Sequence, residues 1–414
     1  MSETPDEDGA VSLFIPGATM YRSDMGKRRL WAAALFLFVV GDGMTTQVRG
    51  ALLPSIKESF TVSDSLLGLV APAGTLGYLF AAVAVGFAAS RLDTRRFLLL
   101  GAGGTVLFLA LLSQVPTYAL LLVFLLGQGA TIGIFRGLDR PLLSSLYPEN
   151  RGRLFNLYAL TWAVGATAGP LFVNQVLTTS DWRVTFLILA AVFLPAFGLI
   201  TRLELPSTRE KGDPFSLSEL RGLFRRPGIA GMALALFFSG GIEGGFFTWL
   251  PYYASQYVPQ TTANVVLSGF LVAYIPGRFV YSRLAGRIEP LTLVLSLALA
   301  AMPALAFVFF ASDGYGLLPG VFVIGFLVSG FFPTLSAFGI DTVPNHGGPV
   351  NAIAISANFL GLSVVPVIMG VVSDQYAITT AMRLLILAMA ALALVVAASK
   401  RRVDRGAPTA GAAD

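Results

Sequence analysis

The chain has 414 residues, 55% of them hydrophobic and 12% charged, with a formal net charge of +5, one histidine and no cysteine. A soluble domain carries roughly 25% charged residues, so this composition points to a polytopic membrane protein and excludes disulfides, thiol chemistry and Cys/His zinc sites. The cations flank apolar runs, as membrane-protein loops require, and need no nucleic-acid partner.

In chain order, residues 1–30 read as a cytoplasmic tail, acidic at Glu3, Asp6, Glu7 and Asp8, unstructured to about residue 20 and without a secretory signal. Apolar runs then predict membrane-spanning helices near 31–53, 65–88, 97–114, 118–145, 154–178 and 183–201. After a cytoplasmic linker at 203–228, six more are expected near 229–252, 261–282, 290–310, 315–340, 350–372 and 379–398, followed by a tail at 399–414. The expected fold class is an all-α polytopic membrane protein of twelve transmembrane helices, arranged as two six-helix halves, 31–202 and 229–398. In the linker, Ser216-x-x-Glu219 is a capping box ahead of Leu217, Leu220 and Phe224, which predicts a short amphipathic helix on the inner membrane surface. With the N-terminus inside, most of the 28 Lys and Arg residues fall on the cytoplasmic side. Lys57, Arg183 and Arg383 remain outside, and both termini are expected in the cytoplasm of a cell-membrane protein.

Charges within the spans are the functional candidates, because ionised groups in hydrocarbon cost roughly 2.5–3.5 kcal/mol each on insertion scales. In the first span, Asp42, Thr45, Thr46 and Arg49 share one helical face. They read as a cavity wall, with Arg49 and Thr46 binding an anionic substrate and Asp42 carrying a proton. An internal Asp42–Arg49 pair is the alternative. The fourth span carries Arg136, Asp139 and Arg140. Arg136 lies deep and reads as substrate-binding, whereas Arg140 can snorkel to the interface. Asp139 and Arg140, with Arg91 and Arg95 of the preceding loop and Arg278 of the eighth span, are expected to form a gating or structural cluster.

In the seventh span, Glu243 lies among Gly240, Gly241, Gly244 and Gly245, a run expected to let the helix bend or unwind. Glu243 suits proton uptake and release, or else a fixed ion pair with Arg49 or Arg278. Trp249 is a candidate for stacking on the substrate. On the eighth span Tyr274, Arg278 and Tyr281 share a face. Asn358 and Ser356 of the eleventh can hydrogen-bond, and His346 reads as a loop residue. With no Walker loop and no His-Glu-x-x-His, neither a catalytic residue, a metal nor a cofactor is expected.

The halves repeat. Leu53-Pro54 matches Leu250-Pro251, Ser90-Arg91-Leu92-Asp93 matches Gly286-Arg287-Ile288-Glu289, Pro148-Glu149-Asn150 matches Pro344-Asn345-His346, and Gly169-Pro170 falls opposite Val365-Pro366. A sustained offset over six helices is a layout of secondary transporters.

The loop Gly86-x-x-x-Ser90-Arg91-x-Asp93-Thr94-Arg95-Arg96 resembles the Gly-x-x-x-Asp-Arg-x-Gly-Arg-Arg loop of the major facilitator superfamily, departing at Ser90, Asp93 and Thr94. In that family the loop's charges help hold the inward-closed arrangement. Leu52-Leu53-Pro54, Gly77-Tyr78, Tyr147-Pro148-Glu149, Gly165-x-x-x-Gly169-Pro170 and Gly330-Phe331-Phe332-Pro333-Thr334 are similar to the fucose permease–like group of sugar–proton symporters. That group carries an acid in helix 1 where this chain has Gly50, and an acid in helix 4 where it has Arg136. The resemblance implies transport by alternating access but does not carry sugar–proton symport across. The chain therefore reads as a monomeric secondary transporter in a lipid bilayer, binding a small-molecule substrate, preferably a carboxylate-bearing one, and a coupling ion. An exporter of neutral or amphipathic compounds and a non-transporting scaffold or receptor-like protein are the alternatives.

Overall fold

The computed structural model describes residues 16–88, 92–205, 217–312 and 314–406. Among these residues every regular element is helical. The long ones are α1 (Pro16–Ala51), α2 (Asp64–Ala88), α3 (Thr94–Leu112), α4 (Tyr118–Leu146), α5 (Arg151–Leu177) and α6 (Val184–Arg202). They continue with α7 (Pro227–Ala254), α8 (Gln260–Leu284), α9 (Pro290–Phe310), α10 (Gly314–Thr342), α11 (Gly347–Gln375) and α12 (Ile378–Gly406). Eleven of them are long and apolar enough to cross a bilayer. The remaining one, α5, occupies the fifth transmembrane position with 27 residues. Arg153 near its start and Asn174 and Gln175 near its end dilute its apolar run.

Helix α1 begins at Pro16, within the stretch expected to lack structure. Proline suits the first helical turn, where its missing N–H has no partner to lose, and no further proline interrupts the run into the membrane. The short helix Leu217–Phe224 in the linker packs against α7 and α11, with Leu223 buried and Phe224 exposed. Ser216, the expected cap, and Arg91 lie outside the described residues.

Three spans are broken, each about four residues before a proline. Helix α2 pauses at Gly68–Leu69 ahead of Pro72, α8 at Ala273 ahead of Pro276, and α10 at Ser329–Gly330 ahead of Pro333. A proline ring clashes with the carbonyl four residues back and supplies no N–H to it. The run around Glu243 behaves otherwise, since α7 is continuous through it. The helix does not unwind there, and the glycines serve close packing. A Cβ at Gly240 would fall on the Asn358 carbonyl, and one at Gly361 of α11 on the Phe237 carbonyl. Close approach through small residues is the usual means of packing helices in membranes.

Helices α1–α6 pack among themselves, as do α7–α12. The halves meet through α1 against α7, α2 against α11 and α5 against α8. Pro148–Asn150 and Pro344–His346, matched in the sequence repeat, both form 3-10 turns that lead into α5 and α11.

Candidate functional site

Between the halves lies a cavity of about 240 Å³. The α1 stripe supplies Asp42, Thr46 and Arg49, α2 adds Thr75 and Tyr78, and α4 adds Arg136 and Arg140. The second half contributes Glu243 and Phe247 from α7, Tyr274 and Arg278 from α8, Phe332 from α10, and Asn358 and Phe359 from α11. Tyr78 and Phe359 stack across the halves, with ring centroids 4.6 Å apart.

The charges do not sort as their spacing suggests. Arg136 lies between two carboxylates, its Nε 3.4 Å from Asp42 and its Nη1 2.9 Å from Asp139. Asp139 is wholly buried and also accepts a hydrogen bond from the Tyr158 hydroxyl at 2.5 Å. The expected cluster of Asp139 with the loop arginines does not form around Arg95. Arg95 donates instead to the carbonyls of Leu203 and Thr201, both at 2.7 Å, and ties α3 to the end of α6. Arg140 is exposed and lines the cavity. Arg278, expected in the gating cluster, also lines it, lying over the Tyr274 ring at 5.3 Å.

Arg49 differs from Arg136. It is 8% exposed and donates to the Gln128 side-chain carbonyl at 2.5 Å. Its Nε and the Gln128 amide nitrogen have no hydrogen-bond partner. Gly74 makes room for the guanidinium, since a Cβ there would overlap it. An Arg side chain stays charged, so Arg49 is a buried cation whose described hydrogen-bond partner is neutral. Glu243 accepts from the Tyr274 hydroxyl at 2.8 Å, and the alternative reading, a fixed ion pair with Arg49 or Arg278, has no such pair among the described residues. Trp249 does not reach the cavity. It is buried and donates to the Pro366 carbonyl of α11 at 2.9 Å.

At the end where α1 finishes, side chains join the halves. Asp64, at the start of α2, receives Lys57 at 2.5 Å, Tyr252 of α7 at 3.2 Å and Ser373 of α11 at 2.5 Å. Ser65 donates to Asp374, Asn264 to Asn174, and Gln260 to the Ala51 carbonyl. Partial burial opposes the Lys57 charge, but the hydrogen bonds it donates to Asp64 and Tyr252 outweigh it and raise the Lys57 pKa. Among the described residues, most hydrogen bonds between the halves lie at this latched end, and Ser268 of α8 also donates to the Thr167 carbonyl of α5 deeper in the spans. At the opposite end, with the termini and the linker, two ion pairs lie within a half: Lys27 with Glu204 and Lys400 with Glu289. Gln128, Tyr158 and the Asp64 hub escaped sequence reasoning. A glutamine midway along a span was the available signal for the first.

A cavity between two repeated six-helix halves, closed at one end, is the architecture of a membrane transporter. The chain matches the Major Facilitator Superfamily over residues 32–258 and 232–413 and belongs to it. It is thus a multi-pass membrane transporter and not an enzyme. Among curated relatives, the L-fucose-proton symporter of Escherichia coli (strain K12) is 24% identical over 83% of this chain and 86% of its own length. Among solved structures, a bacterial homologue of the human lysosomal transporter Spinster, inward-facing and unoccupied, overlaps with a TM-score of 0.79 at 14% identity, over 92% of this chain and 98% of its own. FucP in its outward conformation gives 0.59 at 21% identity, over 90% and 98%.

Proposed function

We propose that this transporter moves a small organic anion in a proton-coupled cycle, with residues 31–202 and 229–398 as the two rocking bodies. Arg49 carries the reading. It is a buried guanidinium at the head of a cavity shared by both halves, hydrogen-bonded to a neutral amide. Asp42 acts on Arg49 only through space, and an anionic group entering the cavity supplies a directly bonded countercharge. Arg136 already lies between two carboxylates and serves to hold α1 to α4. Asp42 and Glu243 face the same cavity from opposite halves and are the proton-exchanging pair. Similarity to the L-fucose-proton symporter supports proton coupling.

The positive-inside bias assigns both termini to the cytoplasm, which makes the latched end extracellular and this shape inward-facing. The greater overlap with the inward-facing relative than with outward FucP supports that assignment. The protein acts as a monomer in the cell membrane.

The test is thermal unfolding of purified protein against paired carboxylates and amides, such as benzoate with benzamide and phenylpropionate with its amide. Stabilisation by carboxylates alone, lost in Arg49→Gln, is expected. A second reading, export of neutral or amphipathic compounds, draws on the aromatic lining of Tyr78, Trp162, Phe247, Phe332 and Phe359. Stabilisation by the amides that is indifferent to Arg49→Gln would establish it instead.

A further inference from the structure

Beyond Arg49, toward the latched end, a second and smaller void of about 30 Å³ is walled by Thr46, Arg49, Gly50, Thr75, Thr248 and Phe247, among others. Arg49, Thr46, Thr75 and Phe247 line both spaces, so the guanidinium forms part of the partition between them. Thr248 lines only the smaller one. A void of this size takes a monatomic ion or two to three waters, since one water needs roughly 10–15 Å³ of such space. It is too small for a carboxylate-bearing solute.

The chemistry of its wall is one-sided. Arg49 brings a positive charge and an unpartnered Nε. Thr248, 3% exposed, lines the void and brings a hydroxyl that can donate. The Thr46 and Thr75 hydroxyls donate to the carbonyls of Asp42 and Ala71, four residues back in their own helices. Their hydrogens can rotate to a better acceptor. No carboxylate lines this void. A cation would meet the guanidinium at close range, and waters would leave it without a directly bonded countercharge, Asp42 acting on it only through space.

We propose that this void is a binding site for a halide-sized inorganic anion, chloride in the cell, held by Arg49 and Thr248. The ion is the countercharge of Arg49 when the central cavity is empty. Leu53 and Val70 complete the wall of the void toward the latched end. The site does not require the transported solute to be an anion.

Bromide is the probe. Thermal unfolding of purified protein is titrated with sodium bromide against sodium methanesulfonate at constant ionic strength, and a bromide-soaked crystal is measured at the bromine absorption edge. The expected result is a saturable stabilisation by bromide and an anomalous peak beside Arg49. Thr248→Val keeps the volume and removes the donor. Loss of a hydrogen bond to a charged group should weaken bromide binding about tenfold or more, and Thr248→Ser should restore it. Because Thr248 does not line the central cavity, stabilisation by a carboxylate should survive Thr248→Val. Failure of the carboxylate panel is therefore separable from failure here. Equal unfolding midpoints in the two salts, or a bromide effect unchanged in Thr248→Val and in Arg49→Gln, would overturn the site.

Discussion

Arg136 bridges Asp42 of α1 and Asp139 of α4, and Tyr158 of α5 closes the group with its hydroxyl on Asp139. Three helices of one half are thereby joined through a single guanidinium. Removing one member of a buried ion pair leaves an uncompensated charge and costs about 3–5 kcal/mol. Asp139→Asn should therefore lower the unfolding midpoint clearly, whereas Arg49→Gln should leave it nearly unchanged in the absence of anions. Equal losses in calorimetry would show that the two arginines are not distinct. The sequence made the α1 stripe readable, because i, i+3, i+4 and i+7 fix a face. It did not reveal which arginine the carboxylates choose. That depends on the rotation of α1 against α4, which no local pattern encodes.

Elements carry the repeat further than residue identity does. Asp93 departs from the family loop pattern, yet its carboxylate caps α3 by accepting from the Arg96 N–H at 3.1 Å. Its repeat partner Glu289 caps α9, accepting from the N–H groups of Leu291 at 3.0 Å and Thr292 at 2.8 Å and from Lys400 at 3.1 Å. Partial burial works against the Glu289 charge, but bonds from Thr292 and Lys400 prevail and lower its pKa below the ordinary 4.5. A lowered carboxylate pKa contributes stability above the ordinary value, and this is lost as pH falls through the lowered one. Glu289→Ala should therefore cost about 1 kcal/mol, the usual value of a lost cap. The gap to wild type should persist at neutral pH and shrink only below about 4.5. A gap that widens in acid would contradict the capping role. Helix positions were legible from apolar runs; the breaks before Pro72, Pro276 and Pro333 were not, since Pro141, Pro170 and Pro195 sit inside unbroken helices. Nor was the role of the glycines around Glu243, because bending and close packing demand the same residue.

Across the whole molecule, closure at one end rests on Asp64, which gathers donors from its own half and from α7 and α11 of the other. A raised Lys57 pKa contributes to closure fully below the ordinary value of 10.5 and is lost as pH rises through the raised one. The Lys57 contribution is thus constant across the neutral range. Asp64→Asn should loosen the latch. The chain has no cysteine, so Ser55→Cys with Gln260→Cys, whose native side chains lie 3.4 Å apart, reports closure directly. Cross-linking should slow severalfold in Asp64→Asn, and an unchanged rate would remove Asp64 from the latch. The two-half architecture was visible in the repeat. The latch was not, since its members lie up to 309 positions apart.

The most direct measurement is uptake into proteoliposomes of the carboxylate that best stabilises the protein, with and without an imposed proton gradient. Gradient-dependent uptake by wild type, abolished in Arg49→Gln while that variant stays folded, is expected. Uptake at the wild-type rate in Arg49→Gln, or uptake indifferent to the gradient, would contradict a proton-coupled anion transporter.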